Sequence, residues 1–282
     1  PVLSEDSDVA QRLDLIITIH HALYDSWSLP LLVYRAQQVY QGQALTPSDM
    51  TPFKEFIKYS MSQQKNALEH WRREFHELTA EPFPTLPSAS YRPQASKQTV
   101  RTIETGPVMD ECVSRTTAIR FAWALVQSHY QSNDDVVFGI VSPGRAASVN
   151  GIEGMAGPTI ATLPLRVQID DNETVSHALR NLQERTVQLI PFEQVGLSEI
   201  GAIGPEAKQA CSFQTLLVEG RGEVENLGTA NDPMEPMGTS SGDAASNTYA
   251  IQLAVMLKPN MVTIAMSTDE RVTPPWQVEH ML

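Results

Sequence analysis

Two adjacent histidines followed by a carboxylate form the part of this sequence best suited to proton chemistry. His20 and His21 stand together, and Asp25 lies four residues after the second. Imidazole titrates near neutral pH, with a reference pKa of about 6.5, so a histidine can take or position a proton on an attacking nucleophile. Asp25 can cap a following helix, pair with an arginine, or hold the imidazole ring, and each role stiffens the loop that presents His21. Taken alone, the pattern reads equally well as two polar residues at a strand end with Asp25 as a helix cap.

Other polar residues are weaker candidates. His70 and His76 lie six apart on a helical segment and read as surface residues. No CxxC or HExxH spacing exists, so no metal site is expected. Gly139 to Gly144 is not a nucleophile elbow, because the glycine stands one residue too far upstream of Ser142. Arg145, after Gly144 at a strand end, is either a solvated turn arginine or a cleft residue. Glu193, just after Pro191, reads as a local cap or pair with a structural role, and Trp123 as core.

The segments around these residues must position them. Leu13 to His21 is rich in β-branched residues and predicts a buried strand, along which alternation sends His20 and His21 to opposite faces. A loop over Ala22–Ser28 leads to a helix over Leu29–Gln41, with Pro30 in its first turn and Gly42 just past its end. Pro52–Leu78 predicts one or two helices with an apolar stripe of Phe53, Phe56, Ile57, Leu68, Trp71 and Phe75. Pro82, Pro84, Pro87 and Pro93 then predict an extended linker and a lobe boundary.

Strands are expected at Thr99–Glu104, Asp135–Val141, Ile160–Ile169, Ser212–Val218, Thr248–Leu257 and Met261–Thr268. Pro164 requires a bulge or an edge position in the third of these. Helices are expected at Thr116–Tyr130 and Glu173–Ile190, the latter capped by Asp171 or Asn172 and ended by Pro191. Glu219–Asn247, rich in Gly, Ser, Asn and Pro, predicts a long mobile loop. The alternation defines an α/β class. It divides into a first lobe over 1–80, a linker over 81–98 and a second lobe over 99–282.

The 282 residues, 41% hydrophobic, suffice for one large domain or two small ones. The net charge of −13 and the lack of any Lys/Arg cluster exclude nucleic acid as a partner and argue against an anionic membrane surface. No apolar run reaches transmembrane length, no signal peptide is recognisable, and Cys112 and Cys211 read as ordinary intracellular thiols. A cytoplasmic location is expected. The chain opens on Pro1 and a polar, acidic stretch, and reads as a fragment of something longer.

His20 to Leu29 (HHALYDSWSL) resembles the HHxxxDG signature of condensation domains of nonribosomal peptide synthetases, in the fungal version HHALYDxWSL. Later segments match in order: Phe53–Tyr59 with Trp71, Asp135–Arg145 (DVVFGIVSPGR), Gly151–Val167 (GIEGMAGPTIATLPLRV), Pro191-Phe192-Glu193 and Ser212–Leu217 (SFQTLL). The chain departs from the family at Ser26, where glycine is usual and would matter if φ were positive. It also departs at Pro143, where the Ser-Gly-Arg turn has serine, and Gly106–Arg115 is short. The family has a segment before the histidine strand that supplies an arginine to the motif aspartate. The resemblance therefore implies truncation at the N-terminus, leaving Asp25 without that partner, and an early C-terminal stop.

The same motifs separate relatives. Heterocyclising domains replace the histidines with aspartate. Epimerising domains carry a glutamate-containing EGHGR element where this chain has Val141–Arg145. Terminal cyclising domains usually have serine at the first histidine, so His20 points to chain elongation. The resemblance implies two chloramphenicol acetyltransferase-like lobes, each a mixed sheet with helices, the first incomplete, with a tunnel-fed site between them. It makes His21 the amine-positioning group or general base, with His20 and Asp25 as structural support. Ser28, Gly144, Arg145 and Thr159 become substrate-tunnel candidates. It implies no directly bound cofactor and no metal. The partners are phosphopantetheine arms of upstream and downstream peptidyl carrier domains, and an adenylation domain of the same synthetase. An acyl-CoA-dependent acyltransferase of the same superfamily and a noncatalytic docking scaffold are the alternatives.

Overall fold

The computed structural model describes residues 17–44, 46, 51–106, 112–221 and 248–282. Its strands form one six-stranded mixed sheet in the order β1-β6-β5-β4-β2-β3: β1 (Lys97–Glu104), β2 (Asp135–Ser142), β3 (Ala161–Gln168), β4 (Thr215–Arg221), β5 (Ile251–Lys258) and β6 (Met261–Thr268). β2 and β4 run parallel, as do β4 and β5, while β1/β6, β5/β6 and β2/β3 are antiparallel. The apolar run of β2 suits an interior strand covered on both faces, and all but one of its residues are buried. β3 lies at the sheet edge, where Pro164, which has no N–H to donate, is tolerated.

Among the described residues there are seven α-helices: α1 (Ser28–Tyr40), α2 (Lys54–Glu74), α3 (Arg115–Gln131), α4 (Val175–Leu189), α5 (Leu197–Gly201), α6 (Pro205–Ala210) and α7 (Pro275–Met281). Ser114 caps α3 by accepting the Thr117 amide. Pro30 sits in the first turn of α1, and Gly42, with φ 79°, follows its last turn. Most of the core is one cluster, in which Trp71 and Phe75 of α2 stack at 5.5 Å and join Phe138, Ile140, Leu163, Leu217 and Ile251. A buried ion pair fixes the end of α2 to the sheet. Arg166 Nε and Nη2 donate to the two oxygens of Asp135 at 2.7 and 2.8 Å, and Arg166 Nη1 donates to the carbonyls of Glu74 and His76.

Several expectations are corrected. Residues 17–20 belong to no strand, and Leu13 to Ile16 lie outside the described residues. A β-branched run becomes a strand only where a neighbour satisfies its backbone groups. All described strands instead pair among themselves between Lys97 and Thr268. His21–Leu23 forms a 3-10 turn closed by the Leu23 amide on the His20 carbonyl at 2.9 Å. Thr174, not Asp171 or Asn172, caps α4, because it directly precedes the helix and reaches the His177 amide. Glu219 to Arg221 extend β4, and the rest of the expected loop, 222–247, lies outside the described residues. His70 is not a surface residue: its ring stacks on Phe192 at 4.4 Å, and burial, then Arg73 and Arg185, push its pKa down.

Candidate active site

Asp25 is the centre of a polar cluster that ties 25–28 to 145–159. It is only 2% exposed, and its carboxylate accepts from Ser28, Thr159 and Arg145. The Ser28 amide donates to Oδ1 at 2.7 Å, while Ser28 Oγ accepts the Asp25 amide at 2.9 Å. This reciprocal bond lies just ahead of α1, whose N-cap position is Trp27 and carries no side-chain cap bond. The Thr159 amide donates to Oδ2 at 2.9 Å, and Thr159 Oγ1 lies 3.4 Å away. Arg145 Nη2 lies 3.2 and 3.1 Å from the two oxygens.

The expectation that Asp25 lacks an arginine is therefore wrong. Arg145 supplies one from the turn after β2, a position read from sequence as either solvated or cleft-facing. Burial alone would raise the Asp25 carboxyl. The amides of Thr159 and Ser28, the Ser28 hydroxyl and the Arg145 charge outweigh it and hold the group below its ordinary value.

Arg145 also organises the segment that faces α1. Its Nη1 donates to the carbonyls of Ile152 and Met155, both at 2.8 Å, and its Nη2 to Gly157 at 2.7 Å. Trp27 Nε1 donates to Glu153 O at 2.9 Å, and Arg35 Nη2 to Gly154 O at 2.6 Å. The Arg145 guanidinium lies 6.0 Å from the centre of the Trp27 ring, within reach of a cation–π attraction. The loop after the histidines and α1 are thereby tied to 145–159 through Asp25, Trp27 and Arg35, with Arg145 as the partner of Asp25.

Gly144 shapes the turn that delivers Arg145. Its φ is +66°, and a Cβ there would stand 1.9 Å from the Thr159 carbonyl oxygen, so only glycine fits. Thr159 Oγ1 closes the turn by donating to Pro143 O at 2.6 Å. Of the sequence candidates, Ser28, Gly144, Arg145 and Thr159 thus converge on Asp25, with Ser28 and Thr159 fully buried. His20 is exposed, and its Nδ1 accepts the Ala22 amide at 3.1 Å. The His21 side chain lies outside the described part of the structure. Ser26 has no positive φ, so the absence of glycine there strains nothing. Among the described residues no cluster of His, Cys, Asp or Glu could hold a metal ion, and no helix is long and apolar enough to cross a membrane.

Sequence reasoning missed Ser142, Glu193 and Gln194. The first replaces the hydroxyl thought lost at Pro143: Ser142 Oγ accepts the Gly144 amide at 3.2 Å. Glu193 bonds across 51 residues to that same hydroxyl and not locally. A serine beside a glycine turn was the available signal for the first. No spacing rule links Glu193 to Ser142.

Comparison with known proteins places this geometry in a family. Residues 9–267 match the Condensation domain family, and the chain belongs to it. It is 38% identical over 278 residues to nonribosomal peptide synthetase ungA' of Aspergillus campestris, covering 97% of this chain and 3% of that protein. It is 41% identical over 217 residues to nonribosomal peptide synthetase fmqA of Aspergillus fumigatus, covering 77% of this chain and 5% of that protein. The chain thus spans a few hundredths of the length of these relatives. Among solved structures it resembles the starter condensation domain of rhizomide synthetase in complex with C8-CoA, at TM-score 0.64 and 14% identity over 93% of this chain and 62% of that one. It resembles the epimerization domain from the third module of tyrocidine synthetase B at TM-score 0.64 and 13% identity, over 93% of this chain and 65% of that one. These likenesses give the fold, which is that of chloramphenicol acetyltransferase-like proteins. Amide-bond formation is the general function of condensation domains of nonribosomal peptide synthetases.

Proposed function

We propose that this chain carries the catalytic motif of a condensation domain that joins an upstream carrier-bound acyl or peptidyl thioester to a downstream carrier-bound aminoacyl group. The amine nitrogen attacks the thioester carbonyl, the C–N bond forms, the C–S bond breaks, and the phosphopantetheine thiol leaves with the proton the amine gives up. The observation that carries this reading is the fastening of the HHxxxD loop to the sheet-bearing unit through Asp25, Arg145 and Thr159.

In this reading much of the rate comes from alignment, worth about 7–11 kcal/mol for well-oriented reactants, with a general base adding about 10²–10⁴-fold. An α-amine has a pKa of about 8, so part of it is already neutral at pH 7 and His21 serves to orient it or to accept its proton. His20 and Asp25 support the loop. Ser28, Gly144, Arg145 and Thr159 act from beneath the tunnel wall, through Asp25. The chain works in the cytoplasm beside carrier and adenylation domains of one synthetase.

A soluble acyl-CoA donor is the second reading, favoured by the C8-CoA bound to the starter condensation domain of rhizomide synthetase. The test offers the complete domain, in its synthetase, either two loaded carriers or an acyl-CoA with a free amine. Amide product from the carriers alone supports the proposal. Equal or faster turnover of the free pair would replace it with the acyltransferase reading.

A further inference from the structure

The turn that delivers Arg145 is held from behind by two consecutive side chains. Glu193 and Gln194 follow the 3-10 turn Ile190–Phe192 at the end of α4. Ser142 Oγ donates to Glu193 Oε2 at 2.8 Å and accepts the Gly144 amide at 3.2 Å. Gln194 Nε2 donates to the Thr159 carbonyl at 3.1 Å. Thr159 in turn gives its amide to Asp25 and its hydroxyl to Pro143. One residue of the pair therefore reaches the strand end that carries Arg145, and the next reaches the segment that binds Asp25 directly.

Gly144 sits directly against the second of these arms: a Cβ there would meet Thr159 O at 1.9 Å and Gln194 Nε2 at 2.8 Å. The arrangement is also costly. Glu193 is only 8% exposed, and burial pushes its carboxyl up against the opposing pull of Ser142 and Arg120. A buried carboxyl facing one hydroxyl adds little to stability that an apolar side chain could not add. What it does supply is direction, because a hydrogen bond fixes the Ser142 side chain where packing alone would not.

We propose that Glu193 and Gln194 are positioning residues for the condensation reaction, clamping the Ser142–Arg145 turn and Thr159 so that the Asp25–Arg145 pair holds the histidine loop in register. The proposal rests on the condensation reading above for its kinetic consequence, though not for its geometry.

The test compares Glu193→Ala, Glu193→Gln, Ser142→Ala and Gln194→Ala in the native synthetase. Four quantities are read: kcat and KM for amide formation from two loaded carriers, melting temperature, and the Asp25–Arg145 separation by cryo-electron microscopy. Glu193→Ala is expected to lower kcat about 10–100-fold with KM for the acceptor carrier little changed, as for other groups that orient a site from behind. Glu193→Gln keeps an oxygen that accepts from Ser142, and restores most of the rate and the native separation. Ser142→Ala and the double variant with Glu193→Ala match Glu193→Ala alone. If Glu193→Ala does not fold, Gln194→Ala and Ser142→Ala carry the test with the same expectation. Wild-type kcat in Glu193→Ala with the pair undisturbed overturns the proposal, as does equal impairment in Glu193→Gln. A wild-type domain that makes no amide while Glu193→Ala still separates the pair counts against the condensation reading and supports the clamp.

Discussion

Arg145 Nη2 stands 3.1 Å from Asp25 Oδ2, joining two side chains 120 residues apart in the sequence. Both side chains are nearly inaccessible to water, with 6% and 3% of their surface exposed. Their pairing links the helix-starting loop after the histidines to the end of an interior strand, and the other contacts of that loop are arranged around it.

Removing Arg145 leaves a buried carboxylate without its counter-charge. Breaking such a pair from one side costs about 3–5 kcal/mol. Arg145→Ala is expected to lose stability on that scale in chemical denaturation, and to lose amide formation with it. Arg145→Lys keeps the charge but not the fork that reaches Asp25, Gly157, Ile152 and Met155 together, so its loss should be intermediate. A stable, fully active Arg145→Ala protein would show that the pair does not hold the loop.

Gly144→Ala tests the turn itself. The new methyl combines a left-handed backbone with a backbone contact at 1.9 Å from Thr159 O. Destabilisation of at least about 1–3 kcal/mol is expected from the backbone strain alone, measured by thermal or denaturant unfolding. An unchanged melting temperature would mean the turn relaxes without effect on its neighbours.

Two groups of carboxyls set opposite pH trends. Burial works against the Asp25 and Asp135 carboxylates, but their amide donors and arginines win and hold both below their ordinary values. Their stabilising contribution is present above about pH 4, the unfolded aspartate range, and is lost as pH falls through the folded values. Burial raises Glu193, whose charged or titratable neighbours include Arg120 and Tyr59. Its contribution is complete below about pH 4.3 and is lost as pH rises through the folded value. Glu193→Gln should therefore gain stability relative to the wild type as pH rises from about 4 through the folded value of Glu193. A difference between the two proteins that stays constant from about pH 4 to about pH 8 would contradict the burial of an ionising carboxyl at this site.

Much of the second unit was legible in the sequence because local pattern decided it. The apolar run of β2 read as a strand, Pro164 called for a bulge or an edge in β3, and α4 showed a helical period over fifteen residues. Helices α5, α6 and α7, of five, six and seven residues, are too short for a period to stand out. For the β-branched stretch before the histidines, residues 17–20 lie in no strand although propensity favours one, because pairing is what makes a strand. At the site, the motif named Asp25 and its neighbourhood, while its arginine could not be read locally. Ser142 carried a local signal, a serine beside a glycine turn, while Glu193 and Gln194 were illegible because each bonds a segment remote in the chain.

Single-turnover amide formation in the native synthetase with both carriers loaded, comparing the wild type with His21→Ala, tests whether the histidine loop fastened by Asp25 and Arg145 performs amide formation. A loss of about 10²–10⁴-fold is expected, the range of a positioned proton-handling group, with folding intact. Unchanged product formation by His21→Ala would contradict it and leave this chain a docking scaffold for its carriers.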